Sequence, residues 1–345
     1  MPSSSAALQL HGPAFAAIAD LGHMVLCLTP EGDSRDGCDF DAVKAETGTF
    51  NPKPEGWSVL QSRRAVQALS ETLKDWRAQT VLSSGSETTL LAALAAKSAG
   101  ITNHIAVVTE CVESMGDAAK EAWRKALVAT TSAVFLNRDD KRTAVKAGLL
   151  SRSCVASVVS GAGVDLVASA ALPLPAPNGD LTFFIHGGAD LRGQNKILTE
   201  AATALTAAHP NVRVIISGAA PTRSETVPER ITHTADFSSA LTQCHVYVHV
   251  PGSHALPATL LEALAAGRPI ITANTAGCRE TVDELVNGCL VEPGSAAAVT
   301  KAMKIFVARP DLIATASRAS RLKAERRFDR REMTQDWLKV MALQV

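Results

Sequence analysis

Residues 252–293 read GSHALPATLLEALAAGRPIITANTAGCRETVDELVNGCLVEP, and the fold is decided here. The apolar run 245–250 leads in as a strand, and Pro257 then sets helical φ at the first turn of a leucine-rich segment, 258–266. Gly267-Arg268-Pro269 stops that helix. A second apolar run at 270–273, a helix over about 279–286 and a third run at 289–292 follow. Strand and helix alternate at the lengths of a parallel sheet covered by helices. Free amides around residues 255–259 can point at an anion with help from the helix dipole. Glu262, a little over one turn inside, is either a hydrogen-bond acceptor for a ligand hydroxyl or an exposed helix carboxylate.

The same alternation extends in both directions. Upstream lie strands at 181–186, 212–217 and 230–234, with helices at about 194–208 and 237–244. The first half reads as helix 12–21, strand 24–28, helix 60–76, a strand from 81, helix 88–99, strand 105–109 and a strand within 128–136. Between the halves, ASAALPLPAPNGD at 168–180 alternates proline with small residues before an Asn-Gly turn and reads as a linker. The 345 residues exceed one ordinary core, so two doubly wound α/β domains are expected, 1–170 and 171–345, facing a cleft, with the terminal helices packing back on the first.

Composition narrows the function classes. Hydrophobic residues at 46% and charged residues at 20% place the chain far from disordered sequences. Lys+Arg and Asp+Glu are both 34 and aromatics only 4%, which leaves neither a global field nor stacking platforms for nucleic acid. Seven scattered cysteines without a C-x-x-C pair fit a reducing compartment and argue against a zinc site. Neither a signal peptide nor an apolar run of about 18 residues is present, so a cytoplasmic protein is expected. The basic cluster 318–331 is interrupted by Glu325 and Asp329 and reads as a solvated helix face, or as a peripheral contact with anionic lipid.

The stretch 252–293 resembles the signature of glycosyltransferase family 4, in the form E-G-L-P-R-x-L-L-E-A-L-A-A-G-R-P-I-V with G-C-R-E and V-N-G downstream. Leu256-Pro257, 260–266, Gly267-Arg268-Pro269, 277–280 and 286–288 match without a gap. HGPAFAAIADLGH at 11–23, VFLNRDDKRTAVKAGLL at 134–150 and SGAGVDL at 160–166 resemble the branch that builds bacterial surface polysaccharides on polyprenyl-diphosphate carriers. The resemblance implies a GT-B fold of two Rossmann-like domains. It also implies a transferase that moves a hexose, with retention and without metal or other cofactor, from a UDP- or GDP-linked sugar to a lipid-linked or saccharide acceptor.

The implied site follows residue by residue. Glu262 takes the position of the glutamate that binds ribose, and the loop His254, Ala255, Leu256 with Thr259 that of the diphosphate and sugar cradle. Gly187, Gly188 and Arg192 fall in the segment resembling G-R-L-x-x-x-K-G-Q, whose two cations neutralise the diphosphate. Arg192 takes the lysine position and Gly188 the arginine position, with Lys196 as a further cation or a solvated helix lysine. Thr232 and His233 flank the base through their backbone, and Asp236 is expected as a helix N-cap. His254 and Arg192 are the catalytic candidates. His254 stands where the family has its first glutamate and Ala255 where it has glycine. A neutral imidazole offers one acceptor and a charged one approaches phosphate, so the loop is read as an altered donor contact or a degenerate one. The family also begins with a strand before the Gly-Pro helix. Only eleven residues precede Gly12, so the expectation is either that the first domain lacks that strand or that the true start lies upstream.

Overall fold

The computed structural model describes residues 4–30, 39–41, 44–50, 59–176, 179–187, 192–218, 228–251 and 256–342, with 4–10, 30, 50, 59–62 and 192–195 described as backbone only. The chain divides into two compact units, 1–163 together with 330–345, and 164–329.

The first unit begins with α1 (Ser4–Asp20) and the parallel pair β1 (Val25–Pro30) and β2 (Ala45–Phe50). After α2 (Val59–Asp75) come β3 (Thr80–Ser84), α3 (Ser86–Ala99), β4 (Asn103–Val108), α4 (Asp117–Val128), β5 (Ser132–Phe135), α5 (Arg138–Lys146) and β6 (Val155–Val158). These four strands form one parallel ladder in the order β3-β4-β5-β6, and among the described residues no ladder joins it to β1-β2. Ile105 and Val107 of β4 and Val134 of β5 pack with Ala14 and Ile18 of α1. Met333, Trp337 and Leu338 complete that cluster from α12 (Arg330–Val340), where Trp337 Nε1 donates to Gly161 O at 3.1 Å.

The second unit comprises β7 (Leu181–Ile185), α6 (Arg192–Ala208), β8 (Val212–Ser217), β9 (Ile231–Thr234), α7 (Phe237–Gln243), β10 (Val246–His249), α8 (Ala258–Ala265), β11 (Ile270–Ala273), α9 (Ala276–Arg279), β12 (Gly288–Val291), α10 (Ala296–Ala308) and α11 (Asp311–Arg327). All six strands are parallel, ordered β12-β11-β10-β7-β8-β9. Every residue of β10 and β11 is buried, as expected of apolar runs covered on both faces. On one face Phe183, Ile185, Val246, Val248 and Ile271 meet α6 and α10. On the other Phe184, Tyr247 and Ile270 meet Leu260, Leu261 and Leu264 of α8.

Residues 168–180 fall inside the second unit rather than at its edge. Two arginines hold the start of this stretch there. Arg321 Nη1 donates to Ser169 O (2.8 Å) and Ala265 O (2.8 Å). Arg268, wholly buried, donates to Leu172 O (3.3 Å) and Pro173 O (3.0 Å). The helix expected over 279–286 is replaced by the single turn α9. Asn287 Nδ2 donates to Thr281 O (2.9 Å) and Asn287 Oδ1 accepts from Asp283 N (2.7 Å), so a side chain takes the bonds a continuing helix would make. Leu285 then adopts φ 59°, outside the helical range. Among the described residues no helix is long and apolar enough to cross a membrane.

Candidate functional site

The strand order reverses between β7 and β10: β7, β8 and β9 extend to one side, and β10, β11 and β12 to the other. In an open parallel sheet the crevice beyond the carboxyl ends at such a switch point is where ligands bind. His186 and Gly187 follow β7, Ser217 ends β8, His249 ends β10, and the chain after β10 leads into α8.

These groups are joined. Gly187 N donates to Ser217 Oγ at 2.9 Å, and Ser217 Oγ lies 2.9 Å from Gly187 O and 3.1 Å from His186 Nδ1. His249 Nδ1 is 3.0 Å from the His186 carbonyl, and the two imidazole centroids are 4.9 Å apart. A carbonyl accepts only, so His249 carries its proton on Nδ1 and keeps a lone pair on Nε2 when neutral. Burial drives the His249 pKa down to about 4, opposed by the His186 carbonyl and reinforced by the neighbouring His186 ring. Burial lowers His186 as well. At neutral pH the pair is an uncharged polar floor, not a cationic one.

α8 enters the site from its N-terminal end. Its N-cap is Pro257 (φ −69°, ψ 135°), which supplies no side-chain acceptor; Leu260 N donates to Pro257 O at 3.1 Å, and among the described residues the amides of Ala258 and Thr259 are left to face an anion. Leu256 is half-buried and packs against the α7–α8 side of the core. Thr259 and Glu262 lie three residues apart on one helix face, both half-buried, and both are within electrostatic reach of the Tyr247 hydroxyl. Thr232 and His233 belong to β9, the edge strand. Thr232 is exposed, and His233 Nδ1 is buried without a partner. Asp236 caps α7, its Oδ1 accepting from Ser239 N at 2.9 Å. Lys196 is exposed on α6. Arg192 opens α6 and is described as backbone only, while Gly188, His254 and Ala255 lie outside the described residues.

The first unit holds a smaller polar edge. Ser84 Oγ, at the end of β3, and Thr109 Oγ1, just after β4, are 3.4 Å apart. Buried Asp140 accepts from Val112 N (2.7 Å) and Asn137 Nδ2 (2.6 Å), tying the loop after β4 to the cap of α5. No group of three or more His, Cys, Asp or Glu able to hold a metal occurs among the described residues.

Residues 154–308 match the family model of glycosyl transferases, group 1. Anabaena HepE, crystallised with UDP-glucose, superposes with a TM-score of 0.72 at 15% identity, over 99% of this chain and 96% of that one. A glycosyltransferase of Rickettsia africae gives 0.74 at 15% identity (95% and 92%), and sucrose-phosphate synthase of Thermosynechococcus elongatus 0.68 at 14% (95% and 91%). The fold is GT-B. No curated protein sequence matches the chain. The polar groups at the switch point that the sequence analysis did not single out are His186, Ser217 and His249. The signal was legible: His186 and His249 are the polar residues closing the apolar runs Phe183-Phe184-Ile185 and Val246-Tyr247-Val248.

Proposed function

We propose that the chain is a glycosyltransferase that moves a hexose from a UDP- or GDP-linked sugar to a lipid-linked or saccharide acceptor, with retention and without a metal, on the cytoplasmic side of bacterial polysaccharide synthesis. The observation that carries this reading is the switch point between β7 and β10, with the N-terminus of α8 and half-buried Glu262 beside it, inside the segment that matches the group 1 model. Support also comes from HepE, which holds UDP-glucose on the same fold. In this reading the α8 amides and Thr259 bind the diphosphate, Glu262 accepts from the ribose hydroxyls, and Thr232 and His233 border the base. Gly187 and Gly188 allow close backbone approach. Arg192 and the α8 dipole stabilise the charge that develops on the departing diphosphate as C1 passes to the acceptor oxygen. His254, Ala255 and Leu256 line the sugar.

Calorimetric titration with UDP-glucose and GDP-mannose tests it. One donor binds the natural chain, and Glu262→Ala weakens that donor at least 10-fold, the loss of a charged acceptor shared by two hydroxyls. Failure of both nucleotides to bind removes the reading. A second reading, a donor-binding partner protein without turnover, is favoured by His254-Ala255 in place of Glu-Gly. Binding without transfer to any acceptor supports it.

A further inference from the structure

His186 follows β7 and His249 ends β10, the two strands between which the strand order reverses, and no donor contact proposed above uses either side chain. Their rings lie 4.9 Å apart but are held by partners of different kinds. His249 Nδ1 is 3.0 Å from the His186 carbonyl, which can only accept. The Nδ1 proton is therefore fixed, and Nε2, on the far side of the ring from that carbonyl, carries a lone pair. His186 Nδ1 is 3.1 Å from Ser217 Oγ, and the same hydroxyl stands 2.9 Å from Gly187 O. Ser217 can turn its proton to either, so His186 can present a donor or an acceptor at Nε2 without changing its charge. His249 has no such freedom. A nucleotide sugar brings a diphosphate that is anionic at neutral pH and offers only acceptors. The lone pair on His249 repels it, and switching the tautomer would strip the His186 carbonyl of its donor. Adding a proton removes the conflict and keeps the Nδ1 bond.

We propose that His249 is a diphosphate-binding residue that takes up a proton together with its ligand: Nδ1–H stays on the His186 carbonyl, and Nε2, protonated from bulk water, donates to a phosphate oxygen. The role rests on the nucleotide-sugar reading above, since it requires a diphosphate at the switch point. In the free chain burial lowers the His249 pKa to about 4, opposed by the His186 carbonyl and reinforced by the His186 ring. Among the described residues, His186 of β7 is the titratable group that bears on His249. Tyr247 of β10 lies with its ring centroid 6.3 Å away, Thr272 of β11 is the paired residue, and Glu262 of α8 and Cys278 of α9 act on Tyr247 instead. The charge of the ligand restores to His249 roughly the ordinary imidazole value, about 6.5. A further proton on His186, beside the new cation, is disfavoured.

The test is calorimetric titration of UDP-glucose and GDP-mannose, diphosphate diesters of constant charge across the interval, at pH 7.5, 6.5 and 5.5 in non-phosphate buffers of differing protonation enthalpy. On the natural chain, the donor that binds should gain about 10-fold in affinity from pH 7.5 to pH 5.5 and take up about half a proton per ligand at pH 6.5. His249→Asn, whose Nδ2 can still donate to the His186 carbonyl, should bind without uptake and without pH dependence. His186→Asn keeps that carbonyl and should keep the uptake. Donor binding without uptake on the natural chain, which is read without any variant, overturns the role and leaves the nucleotide reading intact. Uptake lost in His186→Asn but kept in His249→Asn does the same, as does a loss of affinity in His249→Asn that is equal at every pH, the mark of a neutral Nε2 acceptor. Failure of both nucleotides to bind the natural chain overturns both.

Discussion

The second unit carries six strands in one parallel ladder, whereas the described strands of the first divide into ladders of four and two. β10 and β11 are buried throughout, while β3, at the end of the four-stranded ladder, is mostly half-buried. The two units consequently rest on different interactions. In the second, contiguous apolar runs meet helices close to them in sequence, and the tolerances are set by backbone proximity. In the first, the core face of β4 and β5 is covered by α1 and α12, from near the two ends of the chain, and α1 carries the buried imidazole of His11 against Trp337 of α12. The second unit should be sensitive to added atoms at its strand contacts, and the first to the state of His11 between its terminal helices.

The largest effect expected is from Gly288→Ala. A Cβ there would stand 1.9 Å from the Ile270 carbonyl oxygen and 2.8 Å from its carbon, both backbone atoms of the paired strand. Nothing flexible can yield, so the β11–β12 ladder must open, at a cost above about 4 kcal/mol. Gly148→Ala in the first unit is the control. It meets no atom within 4 Å, and its φ of 62° charges only left-handed strain, about 1–2 kcal/mol. Urea unfolding of both variants measures the difference, and equal losses would refute the contrast.

Arg268→Met comes next. Arg268 Nε donates to Leu241 O (2.9 Å) and its Nη atoms to Leu172, Pro173 and Thr242 carbonyls, so backbone oxygens surround the guanidinium. The C-terminal carbonyls of α7 offset the charge that burial penalises. Methionine fills much of the volume but leaves these carbonyls without their donor, costing about 2–4 kcal/mol. Calorimetric melting should show the loss, and an unchanged transition would mean that water replaces the guanidinium.

The same contrast governs how far the sequence could be read. In the second unit the strand limits expected from apolar runs agree closely with β7, β8, β10, β11 and β12, because burial on both faces leaves little choice of residue. In the first, β2 spans AETGTF with Glu46 and Gly48 inside it, and β6 exposes Val155 and spans only four residues. Neither carries a period that separates strand from loop. α9 misled because its sequence has helical spacing while Asn287, six residues beyond Thr281, captures the backbone, a competition invisible without the third dimension. At the site, the motif pointed to Glu262 and Thr259. His186 and His249 were legible as the polar residues that close two apolar runs, while the register that sets those strand ends side by side was not.

The smallest effect at neutral pH, and the sharpest probe of the first unit, belongs to His11. It is 2% exposed in α1, its ring set edge-on to Trp337 at 4.7 Å, and neither ring nitrogen has a partner. Burial lowers its pKa to about 4. The unfolded chain, with an ordinary value near 6.5, takes up the proton first as pH falls. The stability associated with neutral His11 is therefore complete above pH 6.5 and declines by about 1.4 kcal/mol per pH unit until the folded group itself protonates near pH 4. His11→Phe removes two orphan nitrogens and keeps the ring contact, so it should stabilise the chain by about 1 kcal/mol at pH 7.5. At pH 5 the gain should grow by a further 2 kcal/mol or so, since the variant no longer loses ground to proton uptake by the unfolded state. Denaturant midpoints at the two pH values separate these contributions. A gain equal at both would mean that a partner satisfies His11 in solution.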